Sequence, residues 1–235
     1  KAFKIKGLEP FQNSIKSIIF RYRGREMPYL KKVTVIKNKV YVEKVFSTRY
    51  GCSGIPGPKR KKTKEQVRRQ HEKERKKKVS WLIENNFELG EWYVTLTFRK
   101  ECRTTDKQRI REIRNWLMKE LRKIFKKSGH ELKYILVTEK LKSCVHFHMV
   151  INDVPKLPRI LTGLWHYGRV YTSSLYESDD GFDQLASYMV KEGREPGEQA
   201  YTKSRNVVMP ETKVEVIDSR KWTSKPKPKK GYYIQ

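Results

Sequence analysis

Apolar and polar positions along this chain recur with two periods, and the switches between them mark its elements. Val33-Thr34-Val35-Ile36 and Val40-Tyr41-Val42-Glu43 alternate with period two on either side of Lys37-Asn38-Lys39, which predicts a β-hairpin. The stretch from Gly51 to Pro58 holds three glycines and two prolines, so neither helix nor strand continues through it and it reads as a linker. Thr63 and Gln66 stand at capping-box spacing and open a long helix that runs through Leu82 and Ile83, with few apolar residues before Val79.

From Glu91 the alternation becomes regular. Trp92 to Phe98 predicts a strand. Thr105 with Gln108 predicts a second capping box, followed by a helix whose stripe of Ile110, Ile113, Leu117, Leu121 and Ile124 ends at Ser128-Gly129. Tyr134 to Glu139 and Val145 to Ile151 predict two strands joined by a short turn, hence antiparallel neighbours. A helix led by Pro158 runs to Trp165, a strand lies near Arg169 to Thr172, and a last helix capped by Asp179 or Asp180 spans Phe182 to Glu192. The order β-α-β-β-α-β-α predicts an α+β fold of the ferredoxin- or RRM-like split βαβ type, with a central antiparallel sheet and one extra helix. Beyond Gly193, four prolines interrupt the chain, and Lys225 to Lys230 reads as a basic tail segment. The expected organisation is a small basic module over residues 1–80 with the hairpin and helix, a main domain over 81–193, and an extension over 194–235.

Charge narrows the function. The 235 residues carry 54 Lys and Arg against 26 Asp and Glu, a net +28 that suits a polyphosphate partner and is unneeded for small anionic metabolites. At 37% hydrophobic residues a core can still form. No apolar run approaches the ~20 residues of a membrane span, so nucleic acid is the expected partner and a membrane is not. The helix after Thr63 carries Lys59 to Lys62 at its approach, then Arg68, Arg69 and the run from Arg75 through Lys76 and Lys77 to Lys78. It reads equally as a solvated charged helix or as one that tracks phosphates. Cys52, Cys102 and Cys144 are far apart and form no C-x-x-C pair, which fits a reducing cytoplasm rather than a disulfide framework or structural zinc site. The first residues show no secretory signal pattern, and the chain opens on Lys1 without an initiator Met, so a few preceding residues are expected.

Chemistry concentrates in two places. His146 and His148 stand two apart on a strand and project to one face, while Glu139 ends the neighbouring strand where antiparallel pairing can bring it beside His146. Two imidazoles and a carboxylate with open positions suit Mg²⁺ or Mn²⁺ acting on a phosphate, and zinc uses the same ligand types. On the last helix Tyr188 and Lys191 are spaced i, i+3 and share a face, beside the core stripe of Phe182, Leu185 and Met189. Tyr188 reads either as amphipathic packing or as a phenolate nucleophile with Lys191 as its cation. Gln184 and Glu192 read as helix surface, with contact to the ion or its water as the alternative. Arg99, Lys100 and Arg103 follow the first strand of the main domain and could steer a DNA backbone. Trp165, Tyr167 and Tyr171 are equally suited to core packing and to stacking on bases.

Together these residues resemble the HUH endonucleases. Tyr93-Val94-Thr95-Leu96-Thr97-Phe98 is similar to their first motif, His146-Phe147-His148 to their metal-binding motif, and Ser187-Tyr188-Met189-Val190-Lys191 to their Tyr-x-x-Lys motif, in family order. Ile83 to Phe87, Lys133 to Glu139, Trp165 to Val170 and Ser204-Arg205-Asn206 are similar to phrases in rolling-circle replication initiators of plasmids, integrative elements and small phages, so the resemblance spans roughly residues 30 to 210. It implies the HUH endonuclease fold over 81–193, and a metal-dependent single-strand endonuclease and strand transferase with a divalent ion on His146, His148 and Glu139. Tyr188 would be the nucleophile and Lys191 its cation. Arg205, with Arg68, Arg69, Lys76, Lys77, Arg99, Lys100 and Arg103, would contact nucleic acid. Single-stranded DNA and double-stranded origin DNA are the implied partners, residues 1–80 reading the duplex, with a helicase or further copies of the chain as additional ones. Phage initiators often carry two tyrosines on this helix and only Tyr188 stands here, which implies the single-tyrosine type. A conjugative relaxase or a single-tyrosine transposase would share these residues. A noncatalytic nucleic-acid-binding module on an RRM-like fold would explain the charge but not the His146, His148, Glu139, Tyr188 and Lys191 set.

Overall fold

The computed structural model describes residues 29–46, 63–140, 145–178, 181–190, 201–218, 221–222, 224–225 and 230. Packing divides the chain into two units, residues 1–35, 39–61 and 211–235 in one, residues 36–38 and 62–210 in the other.

The first unit holds a three-stranded antiparallel sheet. Strand β1 (Tyr29–Ile36) and strand β2 (Lys39–Phe46) form the expected hairpin, and Lys37, in the left-handed region at φ 50°, makes the tight turn. A strand not expected from the sequence, Thr212–Ile217, pairs antiparallel with β1, from Tyr29 opposite Ile217 to Thr34 opposite Thr212. The Thr34 and Thr212 hydroxyls lie 2.7 Å apart, and Lys31 pairs with Glu215 at 3.4 Å.

In the second unit helix α1 (Lys64–Asn86) opens on the expected box. Gln66 N–H donates to Thr63 Oγ1 at 3.2 Å, and Thr63 N–H donates to Gln66 Oε1 at 3.1 Å. Then come β3 (Trp92–Thr97), α2 (Lys107–Lys127), β4 (Tyr134–Lys140), β5 (Val145–Ile151), α3 (Leu157–Leu164), β6 (Val170–Ser174), α4 (Asp183–Val190) and β7 (Thr202–Lys203); Thr212–Ile217 is β8. The central sheet runs β6-β3-β5-β4-β7, every pair antiparallel. For the four strands of the β-α-β-β-α-β unit this order is 4-1-3-2, the split βαβ arrangement, and the α+β class holds.

Two details of α2 differ from the sequence reading. Its N-cap is Asp106, whose Oδ1 accepts from Gln108 N–H at 2.9 Å, because the Asp106 N–H is itself taken up by Thr104 Oγ1 at 3.1 Å and the helix begins one residue later. Its stripe ends on Phe125, fully buried, with Ile124 only half-buried, since a period of 3.6 carries the buried face onward after Leu121.

The sheet separates two apolar layers. Val94, Leu96, Leu136, Phe147 and Met149 face α2 and α3. Ile135, Val137 and Val150 face Val79, Leu82 and Ile83 of α1 and Ala186, Met189 and Val190 of α4. The linker over 51–58, Asp179, Asp180, Lys191, Glu192, and all of the basic tail segment except Lys225 and Lys230 lie outside the described residues. Among the described residues no helix is long and apolar enough to cross a membrane.

Candidate metal centre

Register decides what meets on the sheet. β5 pairs with β3 so that Thr95 faces His148 and Thr97 faces His146, and with β4 so that Val137 faces His148 and Glu139 faces His146. Directly opposed residues share a face, so His146, His148 and Glu139 emerge together on the α1 and α4 side, whereas Phe147 and Met149 point into the opposite core.

The three side chains converge as their spacing predicted. One ligand atom from each of Glu139, His146 and His148 falls within 4.8 Å of the others. Glu139 Oε2 lies 2.9 Å from His148 Nε2 and 3.6 Å from His146 Nδ1. Neighbouring ligands of a small divalent ion, each about 2.1 Å from it, stand roughly 3 Å apart in octahedral geometry, so this donor set fits Mg²⁺ or Mn²⁺. His148 is 1% exposed, and burial holds its pKa below the ordinary value against the opposing pull of Glu139, which favours the neutral imidazole that ligation requires.

Tyr188 reaches this cluster from α4. Its ring meets that of His148 edge-on, at 5.2 Å between centroids, while the residue stays 54% exposed. Ala186 and Met189 on either side of it are buried and fix the face that α4 presents. Gln184 is exposed on the same helix, while Lys191 and Glu192 fall outside the described residues.

The basic residues separate. Arg99 and Lys100 are exposed just past β3, at the end where Thr97 faces His146, and Arg103 beside them directs Nε at the Phe98 carbonyl, 3.4 Å away. Arg205 is exposed at the other end of β4, next to Ser204, whose N–H donates to the Tyr134 carbonyl. Five residues of strand, at ~3.4 Å each, separate that end from Glu139. On α1, Arg68 and Arg69 are exposed, Arg69 paired with Glu65. Lys76 reaches Asp183 of α4 at 3.4 Å, and Lys77 lies 4.2 Å above the Trp81 ring.

The three aromatic residues divide likewise. Trp165 is buried, its indole N–H donating to the Thr97 carbonyl at 2.9 Å, and Tyr167 packs against Phe98 and Trp116. Tyr171 is 53% exposed on the edge strand, opposite Thr95. Gly168 lets this turn approach β3: a Cβ there would stand 2.1 Å from the Thr97 carbonyl oxygen.

Sequence reasoning gave no separate role to Tyr93 and Thr95, and both reach His148 Nδ1. The Tyr93 hydroxyl is 2.8 Å away and that of Thr95 3.2 Å. Burial pushes the Tyr93 phenol well above the ordinary range, so it stays protonated. The available signal was the polar phase of β3, where Tyr93, Thr95 and Thr97 alternate with Val94, Leu96 and Phe98.

A family model described as replication-associated protein, of the ORF2 type, matches residues 91–193. That stretch contains β3 through α4, hence the Glu-His-His cluster and Tyr188, and the match supports a replication initiator that acts on DNA. No curated protein and no solved structure gives a significant match.

Proposed function

We propose that this chain initiates rolling-circle replication as a metal-dependent, site-specific single-strand DNA endonuclease and strand transferase of the single-tyrosine HUH type. The observation that carries the reading is the contact of a half-exposed tyrosine, Tyr188, with His148 in a converged Glu-His-His set. An RRM-like binding module has no use for that arrangement. The replication-associated match favours this role over the relaxase and transposase readings, which share the chemistry.

His146, His148 and Glu139 would hold Mg²⁺ or Mn²⁺, which when bound supplies Lewis-acid polarisation of the scissile phosphate. Tyr188 Oη gives up its proton and bonds to phosphorus, while the bond from phosphorus to the 3′ oxygen breaks and that oxygen leaves, protonated, as a free 3′-OH. The 5′ phosphate stays esterified to Tyr188, and because one phosphate ester replaces another, rejoining needs no nucleotide cofactor. Lys191 is the cation proposed to steady the developing negative charge. Arg99, Lys100 and Arg103 are proposed to guide the single strand into the His146 end of the site.

Duplex origin DNA is proposed to bind through Arg68 and Arg69 of α1 and through the β1–β2 ribbon, whose exposed Val35, Val40 and Val42 suit apolar contact with base edges. A helicase and further copies of the chain are proposed additional partners.

The test is a labelled single strand spanning the origin of the protein's own replicon. With Mn²⁺ the expected products are a 3′ end that a polymerase extends and a 5′ fragment attached to protein. A free 5′ phosphate with no attached protein, or cleavage that persists in chelator, rejects the reading.

A further inference from the structure

Tyr93 belongs neither to the metal donors nor to the attacking group, yet it touches both. Its hydroxyl lies 2.8 Å from His148 Nδ1, with the Thr95 hydroxyl 3.2 Å from the same nitrogen and hydrogen-bonded to Tyr93. Its ring lies parallel to the His148 ring, 4° between planes and 6.2 Å between centroids. The same ring meets Tyr188 edge-on, at 80° and 6.4 Å.

A histidine can carry its single imidazole proton on either nitrogen, and only one choice leaves Nε2 free to ligate. If the proton sits on Nε2, it donates to Glu139 Oε2, 2.9 Å away, and the ligating lone pair is lost. If it sits on Nδ1, the Tyr93 and Thr95 oxygens accept it and Nε2 faces the centre. The two hydroxyls and the carboxylate therefore compete for one proton, and the outcome sets whether His148 is a ligand.

Resting on the endonuclease reading above, we propose that Tyr93 is a positioning residue that holds His148 in its ligating tautomer and supports the Tyr188 ring beside it. Metal affinity depends on the hydroxyl, and alignment of the nucleophile depends on the ring. Thr95 is the weaker second acceptor.

Two substitutions separate the parts: Tyr93→Phe removes the hydroxyl and keeps the ring, and Tyr93→Leu removes both. Mn²⁺ titration by calorimetry should show Tyr93→Phe weakened about 10- to 100-fold, the usual cost of losing a partner behind a metal-bound histidine. Thermal unfolding without metal should stay near wild type for that variant. At saturating Mn²⁺, Tyr93→Phe should cleave a single strand at close to the wild-type rate, and Tyr93→Leu markedly more slowly. Nitrogen NMR of wild-type His148 with Mg²⁺ should show a protonated, hydrogen-bonded Nδ1, a result that does not depend on any variant folding.

A Tyr93→Phe affinity within twofold of wild type, an unprotonated Nδ1 in the Mg²⁺ form, or equal cleavage by the Phe and Leu variants at saturating metal overturns the proposal. A wild type that cleaves and binds Mn²⁺ while Tyr93→Phe matches its affinity defeats this inference alone. A wild type that binds no Mn²⁺ defeats the endonuclease reading and this inference with it.

Discussion

The two faces of the central sheet come from the same strands yet do opposite work. On β5, Phe147 and Met149 point toward α2 and α3 and are fully buried, while His146 and His148, the intervening residues, point toward α1 and α4. One face closes over its apolar layer with the 21-residue α2, α3 and the Phe98, Phe147 and Trp165 rings. The other is apolar only over Ile135, Val137 and Val150 and turns polar toward Glu139 and His146, with the eight-residue α4 bringing Tyr188 to the boundary. Period-two alternation thus lets one strand carry structural and chemical residues side by side, each set insulated from the other by the sheet.

If that division is real, substitutions on the two faces should fail differently. The largest effect belongs to the polar face: His148→Ala or chelation should reduce cleavage by at least about 10²- to 10³-fold, the scale of losing one preorganised electrostatic contributor. Binding of DNA, dominated by Lys and Arg contacts to phosphate, should change only a few-fold in a filter or anisotropy assay. On the closed face, Phe147→Ala should cost about 3–5 kcal/mol of stability in urea unfolding, because it leaves a cavity among Phe98, Trp165 and the α2 stripe. Gly168→Ala should cost about 1–3 kcal/mol, since a methyl cannot fit against the Thr97 carbonyl without moving the turn or the end of β3. The smallest effect is expected for Lys76→Ala, whose pair with Asp183 is half-exposed and contributes under about 1 kcal/mol. A Phe147→Ala protein that keeps its stability but loses its metal would break the division.

Much of this was legible before any coordinates. The strands and helices from Trp92 to the Tyr188 helix follow from hydrophobic period, and the convergence of Glu139 with His146 follows from strand parity plus a short antiparallel turn. Strand β8 was missed although Thr212-Lys213-Val214-Glu215-Val216-Ile217 alternates, because its partner β1 lies 178 residues away between Thr34 and Thr212, and pairing at that distance leaves no local signal. Strand β7 is two residues long, too short for any period to register. The Tyr93 hydroxyl escaped for a related reason: its link to His148 depends on which strand sits beside β5, a fact that appears only once the 4-1-3-2 order is known. Trp165 and Tyr171 looked alike in sequence, and the structure separates them because the Gly168 turn draws one into the core while the edge strand leaves the other in solvent.

The central claim is that Tyr188 attacks phosphorus, and mapping the covalent adduct tests it most directly. Wild-type protein incubated with Mn²⁺ and a single-stranded origin fragment, digested and read by mass spectrometry, should carry the nucleotide on the peptide containing Tyr188, and Tyr188→Phe should carry none. Tyr201 is the informative control, being half-buried against the α1–α4 layer with its phenol pKa pushed up by burial. An adduct on Tyr201, on Tyr171, or persisting in Tyr188→Phe would contradict the account.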